Sequence, residues 1–285
     1  MVTMKFGCQL PQDDPDIDHI FEVAKECENL DYDSVWAYDH LSPYWLRSSR
    51  SLEAWTLLSA IAARTSKIRI GSLVTNVALR NPALLAKMTS TVDRISGGRL
   101  IVGLGIGDRM SVKELHSYGY HFPTLRERLT LMRESITALK ALWTGKKVSV
   151  KGQTLKVCNA ICLPTPMQEP HPPIWVGGKH HGVIDVAVES ADGWNCWGLS
   201  EQESRDRMRY FTTKCAQLHR DPRGLTLSWA GSPLPLQPNR IGVQSMRSQL
   251  AAQAKIGIDY FIASFPAKTK HKAYQAFAET VRSLS

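Results

Sequence analysis

His40 stands at the end of an apolar run, Ser34-Val-Trp-Ala-Tyr-Asp-His40, directly after Asp39. Histidine titrates near neutral pH and can act as general acid or base, and a carboxylate beside it can hold the ring by hydrogen bonding. A second apolar run, Leu100-Ile-Val-Gly-Leu-Gly-Ile-Gly107, ends at Asp108, a second candidate acid or base. Gly103, Gly105 and Gly107 alternate along it, and glycine lets the backbone approach a flat ring closely. Two strands that each end in titratable groups predict one site at one edge of a parallel sheet. The residues alone leave two alternatives open: His40 as a strand-end cap, and Asp108 as the N-cap of a helix starting at Met110.

Three further groups bear on the same site. Gly177-Gly178-Lys179 ends an apolar run and enters a helix, so backbone N–H groups and Lys179 can cradle a phosphate, or simply form a turn. The G-x-G-x-G spacing differs from the dinucleotide fingerprint G-x-G-x-x-G. His180-His181 lack a third ligand at metal-binding spacing and read as surface residues, so no metal site is expected. Among the aromatics, Trp36 and Tyr38 flank the predicted pocket. Tyr44 and Trp45, in a loop of Ser, Pro and Arg, are candidates for a lid.

The elements that must position these residues alternate along the chain. Strands are predicted over Lys5–Leu10, Ser34–Tyr38, Lys67–Asn76, Leu100–Gly107, Ile174–Val176, Trp194–Trp197, Leu225–Ala230 and Asp259–Ser264. Apolar residues at helical spacing fall between and after them: Pro15–Leu30, Ser51–Arg64, Pro82–Ile95, Leu125–Leu142, Val183–Ser190, Glu201–Leu218, Gln244–Ile256 and Lys268–Leu284. Gly97-Gly98 marks a helix end. The rhythm breaks over Thr144–Thr165, where two short β-like runs, Lys147–Lys151 and Thr154–Val157, surround Gly152-Gln153. Eight strand–helix units predict an α/β fold, a (β/α)8 barrel with a short insertion after the fourth helix. Such barrels carry their sites at the C-terminal ends of the strands, where Asp39-His40, Thr75-Asn76, Gly105–Asp108, Gly177-Gly178 and Asn195 all fall.

At 285 residues the chain suits one barrel domain over 1–285, and 43% hydrophobic residues suffice for its core. The formal charge is +9 with no block of five like charges, which predicts a basic, solvated surface with some preference for acidic ligands. Zinc-finger spacing and a basic arm are absent, so no nucleic-acid partner is expected. The six cysteines contain no C-x-x-C pair, and those in apolar runs read as small hydrophobes. The N-terminus does not read as a signal peptide, and no run offers ~18 uncharged apolar residues. A cytoplasmic protein without a membrane partner is expected.

The stretch from Asn81-Pro82 through Asp93-Arg94-Ile-Ser-Gly-Gly-Arg to Asp108, with the ending Gly257-Ile-Asp-Tyr-Phe-Ile-Ala-Ser-Phe-Pro266, resembles the bacterial-luciferase-like flavin and deazaflavin oxidoreductases. The resemblance spans nearly the whole chain. Ala37-Tyr38-Asp39-His40 is similar to the branch that uses the 8-hydroxy-5-deazaflavin coenzyme F420. The resemblance implies a dehydrogenase or reductase that moves a hydride between F420 and a small organic substrate. An FMN-dependent monooxygenase and a non-catalytic flavin-binding relative are the alternatives. It implies His40 and Asp108 as catalytic residues and a coenzyme site at Asp39, Ser72, Leu73, Thr75, Ile106, Gly107, Ser111, Gly177 and Gly178. It further implies a non-proline cis peptide at Ser72-Leu73 and a homo-oligomer, a dimer. The branch's sugar-phosphate dehydrogenases have Glu after the glycine run and a phosphate-binding lysine at the position of Gly198. Asp108 resembles instead the methylenetetrahydromethanopterin reductases, which argues against a sugar phosphate.

Overall fold

The computed structural model describes residues 4–14, 16–42, 50–109, 111–232, 240–266 and 269–284. Tyr44, Trp45, Met110 and Pro15 lie outside the described residues. Strands β1 (Lys5–Gln9), β2 (Ser34–Ala37), β3 (Arg69–Ser72), β4 (Thr75–Asn76), β5 (Leu100–Gly105), β8 (Ile174–Gly177), β9 (Gly193–Trp197), β10 (Thr226–Gly231) and β11 (Tyr260–Ser264) form one parallel sheet. Its order is β3-β2-β1-β11-β10-β9-β8-β5-β4, and β3 also pairs with β5. The sheet therefore closes into a barrel, with β3 and β4 sharing one of eight strand positions. Helices α1 (Ile17–Asn29), α2 (Ala54–Arg64), α3 (Pro82–Ser96), α5 (Leu125–Leu142), α6 (His181–Ser190), α7 (Glu201–Gln217), α8 (Arg240–Ile256) and α9 (His271–Arg282) accompany the strands. A short α4 (Ser111–Ser117) follows β5, and β6 (Val148–Lys151) pairs with β7 (Lys156–Ala160) as an antiparallel hairpin after α5.

Most helices begin where side-chain caps dictate. Asn81 accepts from the N–H groups of Ala83 and Leu84 at 2.9 and 3.3 Å, with Pro82 in the first turn. Gly97 ends α3 in the left-handed region at φ 69°, and Gly98 N–H returns to the Asp93 carbonyl at 2.8 Å. Helix α2 starts at Ala54, because Glu53 caps Trp55 and Thr56. Helix α8 starts at Arg240, four residues before Gln244, where the apolar spacing placed it. The hairpin turn is fastened by Glu134 of α5, which accepts from Gln153 N–H, Thr154 N–H and the Thr154 hydroxyl at 2.5, 3.0 and 2.6 Å.

The barrel interior is a small apolar plug of Trp36, Leu73, Ile101, Trp175, Ala230, Tyr260 and Ile262, separate from the large core under the helices. Trp36 and Trp175 lie 5.0 Å apart, and Tyr260 meets Trp175 edge-on at 5.2 Å. Both the Trp36 indole and the Tyr260 hydroxyl donate to Ser34 Oγ at 2.6 Å. Glycine on β3 makes room for this bulk: a Cβ at Gly71 would meet the Trp36 ring at 2.4 Å. Truncating a plug residue such as Trp36 is expected to cost about 3–5 kcal/mol.

Much of the glycine-flanked stretch that carries the family resemblance fastens the lower barrel. Arg99 donates to the carbonyls of Ala62, Thr65, Ile68 and Ser96 at 2.6–2.8 Å. Asp93, fully buried, accepts from Met167 N–H, Gln168 N–H and the Gln168 amide.

Candidate active site

A cleft of about 470 Å³ opens at the C-terminal ends of the strands. One wall is backbone and small side chains: Leu73, Val74, Gly105, Ile106, Gly107, Gly177 and Gly178. Asn76, Asp108, Ser111, Lys179, His180 and Asn195 add polar groups, and His40 and Trp197 complete the rim. Polar ends over an apolar wall suit a flat ring with a charged tail.

His40 is delivered by β2. Gln12 clamps the end of that strand, donating to the Tyr38 carbonyl at 2.8 Å and accepting from Tyr38 N–H at 2.9 Å. His40 Nδ1 lies 2.6 Å from Glu114 Oε2, and Glu114 also accepts from Ser42 N–H at 2.8 Å and from Leu41 N–H. The His40 side chain is 23% exposed and that of Glu114 only 3%, so the ring is reachable and the carboxylate is not. Burial pushes the Glu114 carboxyl up. The hydrogen bond from His40, those from Ser42 and Leu41, and the His40 charge outweigh burial and hold it below the ordinary carboxylate range.

Asp39 turns away from the cleft. It is 2% exposed and pairs with Arg80 through two contacts, 3.0 Å from Nε and 2.6 Å from Nη2. Arg80 also holds Glu53 at 2.6 Å. Burial raises the Asp39 carboxyl, and the Arg80 hydrogen bonds and charge work against it.

Ser72 and Thr75 are fully buried and lie outside the cleft lining. Ser72 Oγ bridges to the backbone of Gly103, donating to its carbonyl at 2.8 Å and accepting from its N–H at 3.1 Å. Thr75 accepts from the Trp55 indole at 3.1 Å. Of the other expected coenzyme residues, Leu73, Ile106, Gly107, Ser111, Gly177 and Gly178 line the cleft together. Trp36 and Tyr38 do not line it; Trp36 belongs to the interior plug.

The non-proline cis peptide lies at Leu73-Val74, one bond beyond the expected Ser72-Leu73. Ser72 is still in register with Ala37, and Leu73 N–H still donates to the Ala37 carbonyl at 2.7 Å, so the break comes after Leu73. The predicted strand Lys67–Asn76 is thereby divided into β3 and β4. Val74 projects against the glycines of the neighbouring strands: a Cβ on Gly105 would meet Val74 Cγ2 at 2.3 Å, and one on Gly177 would meet Cγ1 at 2.6 Å. These glycines make room first for Val74, and through it shape the wall that a ligand meets.

Asp108 combines the two readings open to it. It lines the cleft and accepts from Ser111 N–H at 3.0 Å at the start of α4. Gly107, at φ 67°, is held by Arg128, which donates to the carbonyls of Ile106 and Gly107 at 2.8 and 2.7 Å. A side chain on Gly107 would strike the Asn76 amide at 2.7 Å. His180 caps α6, accepting from Gly182 N–H at 3.0 Å, and His181 stacks on Tyr210 at 4.0 Å. Among the described residues no cluster of His, Cys, Asp or Glu could hold a metal ion.

Sequence reasoning missed Glu114 and Arg80. Glu114 sits on a seven-residue helix too short to show periodicity. Arg80 stands in the stretch after β4 and reaches Asp39 over 41 residues of chain.

A family model described as luciferase-like monooxygenase matches residues 1–234. An F420-dependent glucose-6-phosphate dehydrogenase of Amycolatopsis mediterranei is 31% identical over 178 residues, 62% of this chain and 52% of that protein. The chain spans about half the length of the curated relatives it matches. Among solved structures, an F420-dependent secondary alcohol dehydrogenase in complex with an F420–acetone adduct superposes with a TM-score of 0.86, at 17% identity, over 99% of each chain. The coenzyme F420-dependent tetrahydromethanopterin reductase of Methanopyrus kandleri reaches 0.82 at 18% identity over 97% of each. At these identities the likeness is one of fold, a (β/α)8 barrel. With its family model covering most of its length, the chain belongs to the luciferase-like monooxygenase family.

Proposed function

We propose that this protein is an F420-dependent oxidoreductase that moves a hydride between the deazaflavin and a small organic substrate, as one barrel domain over 1–285. The observation that carries the reading is the cleft itself, a glycine-rich wall facing a histidine held by a buried carboxylate. The curated relatives, named as F420-dependent dehydrogenases, support the choice of coenzyme. An FMN-dependent monooxygenase and a non-catalytic flavin-binding relative are the readings it displaces.

The residues fit such a coenzyme. Leu73, Val74 and Ile106 offer an apolar face for the ring, and Gly107 keeps its conformation and its lack of a side chain. Ser111 closes the ring site. Gly177, Gly178 and Lys179 lead into α6, and the positive end of that helix together with Lys179 favours an anion such as a phosphate. Asp39, Ser72 and Thr75 act from behind this surface through Arg80, Gly103 and Trp55. When bound, F420 supplies the two-electron hydride chemistry. His40, with Nδ1 committed to Glu114, exchanges a proton with the substrate oxygen through Nε2. Asp108 supplies a second polar group after the end of β5.

Assembly as a homo-oligomer, a dimer, belongs to the same reading on the strength of the family resemblance. None of the six thiols is paired and five are buried, which suits a reducing, cytoplasmic setting. Among the described residues no helix is long and apolar enough to cross a membrane.

Turnover tests the reading. Under anaerobic conditions, F420 absorbance should bleach with an oxidisable alcohol, or reduced F420 should regain it with a ketone. Oxygen-dependent turnover of FMN instead, with none of F420, would support the monooxygenase.

A further inference from the structure

The hydride-transfer reading leaves the substrate open, and this inference rests on that reading. With the glycine-lined wall assigned to the coenzyme, the rest of the cleft runs between His40 and the end of β9. Trp197 dominates it. Pleating along β9 turns Asn195 and Trp197 inward and Trp194 and Cys196 outward. Asn195 donates to Ser228 Oγ inside the barrel at 2.9 Å, whereas Trp194 stacks on Phe211 of α7. The four residues before Trp197 are buried, and Trp197 is 44% exposed. Gly198 follows at φ 61° with open space where a Cβ would stand, so the chain leaves the strand without placing a side chain beside the indole. Its N–H donates to the Ala230 carbonyl at 2.8 Å, which fixes the backbone there.

The indoles of Trp36, Trp55, Trp143, Trp194 and Trp229 each donate a hydrogen bond, and that of Trp175, which donates to no described residue, is buried in the barrel plug. No described residue takes a hydrogen bond from Trp197, which lines the cleft and is 44% exposed. An aromatic surface left exposed in a cleft is recovered when an apolar ring stacks on it. Charge points the same way. Among the described lining residues Lys179 is the only lysine or arginine, and it stands at the coenzyme's phosphate end. Among the described residues the Trp197 side of the lining carries no such fixed cation for a phosphorylated or carboxylated substrate.

We propose that Trp197 is the substrate platform and that the substrate is an uncharged ring compound bearing the reacting secondary alcohol or ketone. In the oxidising direction the carbinol C–H bond breaks and its hydride passes to oxidised F420. The hydroxyl proton passes to His40, and the carbon becomes a ketone. The reverse direction uses reduced F420 and returns both.

The test compares cyclohexanone, acetone and glucose 6-phosphate with the wild type, Trp197→Ala and Trp197→Phe. F420 affinity is titrated first by fluorescence. Binding of each probe is then measured by calorimetry, and kcat/KM by F420 absorbance. Cyclohexanone should exceed acetone by about tenfold, the scale of partly burying its additional ring carbons against the indole. Trp197→Ala should lose that margin, Trp197→Phe should keep most of it, and F420 affinity should stay within about twofold in both. Equal handling of cyclohexanone and acetone, or preference for glucose 6-phosphate, would overturn the inference. So would an equal loss of F420 affinity in Trp197→Ala, because the indole would then cover the coenzyme. Failure of F420 to bind the wild type would sink the hydride-transfer reading alone. Cyclohexanone against acetone binding to the protein without coenzyme would then decide whether Trp197 is a ring platform.

Discussion

His40 Nδ1 and Glu114 Oε2 meet at 2.6 Å across 74 residues of chain, joining the end of β2 to the short helix after β5. The contact fixes which nitrogen of the ring faces a ligand and keeps the carboxylate out of solvent. In the proposed reaction Glu114 acts as a positioning residue. Glu114→Gln should lower turnover by about 10²-fold and move the pH profile, while F420 affinity stays near wild type. His40→Ala should keep F420 binding and lose about 10²–10⁴-fold in turnover. Steady-state pH profiles and coenzyme titrations of both variants check this; full turnover in His40→Ala would return His40 to a strand-end cap.

Arg80 and Asp39 make a buried ion pair behind the same strand end. Removing one partner of such a pair costs about 3–5 kcal/mol, because the other is left uncompensated. Arg80→Met should destabilise the protein on that scale, and Asp39→Asn added to it should recover much of the loss. Denaturant midpoints measure both. Any weakening of coenzyme binding in Asp39→Ala should track this loss of stability, because Asp39 faces Arg80 and not the cleft.

The Val74 side chain fills the space at Gly105 and Gly177. Gly105→Ala should cost about 1–3 kcal/mol by overpacking. Val74→Ala in the same chain should relieve much of it, since the closest clash at Gly105 is with Val74 Cγ2. A double-mutant cycle on thermal unfolding reads the coupling; additive losses would mean that the barrel yields elsewhere.

Glu28 predicts acid sensitivity remote from the site. It accepts from the N–H groups of Ser66, Lys67 and Ile68 at 2.7, 2.6 and 3.2 Å and from Lys25 at 2.5 Å. Burial pushes its carboxyl up, but the hydrogen bonds from Lys25 and the three backbone groups bring it down to about 2. The folded value lies below the unfolded one, so the stabilisation is complete above an ordinary glutamate pKa of about 4.3 and is lost as pH falls toward 2. Glu28→Gln should cost on the order of 2 kcal/mol at pH 7, and the difference should shrink in acid. Thermal unfolding at both pH values measures it.

The barrel was legible because each strand–helix unit carries its own apolar period and its own punctuation, as at Asn81-Pro82 and Gly97-Gly98. His40 and Asp108 were legible as polar ends of apolar runs. Glu114 was not, because a partner 74 residues away leaves no local pattern. Trp36 was misplaced because a short run does not show which face of the strand turns into the barrel. The role of Gly105 and Gly177 was hidden as well. It depends on where the strand through Leu73 and Val74 breaks, and that is fixed by pairing with β2 and β5.

The most direct measurement is a side-by-side titration of the wild-type protein with F420 and FMN across salt concentration. F420 should bind at micromolar level and FMN weakly. F420 affinity should fall as salt rises, because Lys179 and the basic surface meet a polyanion whose charges are screened over ~10 Å at 0.1 M salt. Equal affinity for the two coenzymes at every salt concentration would contradict the account.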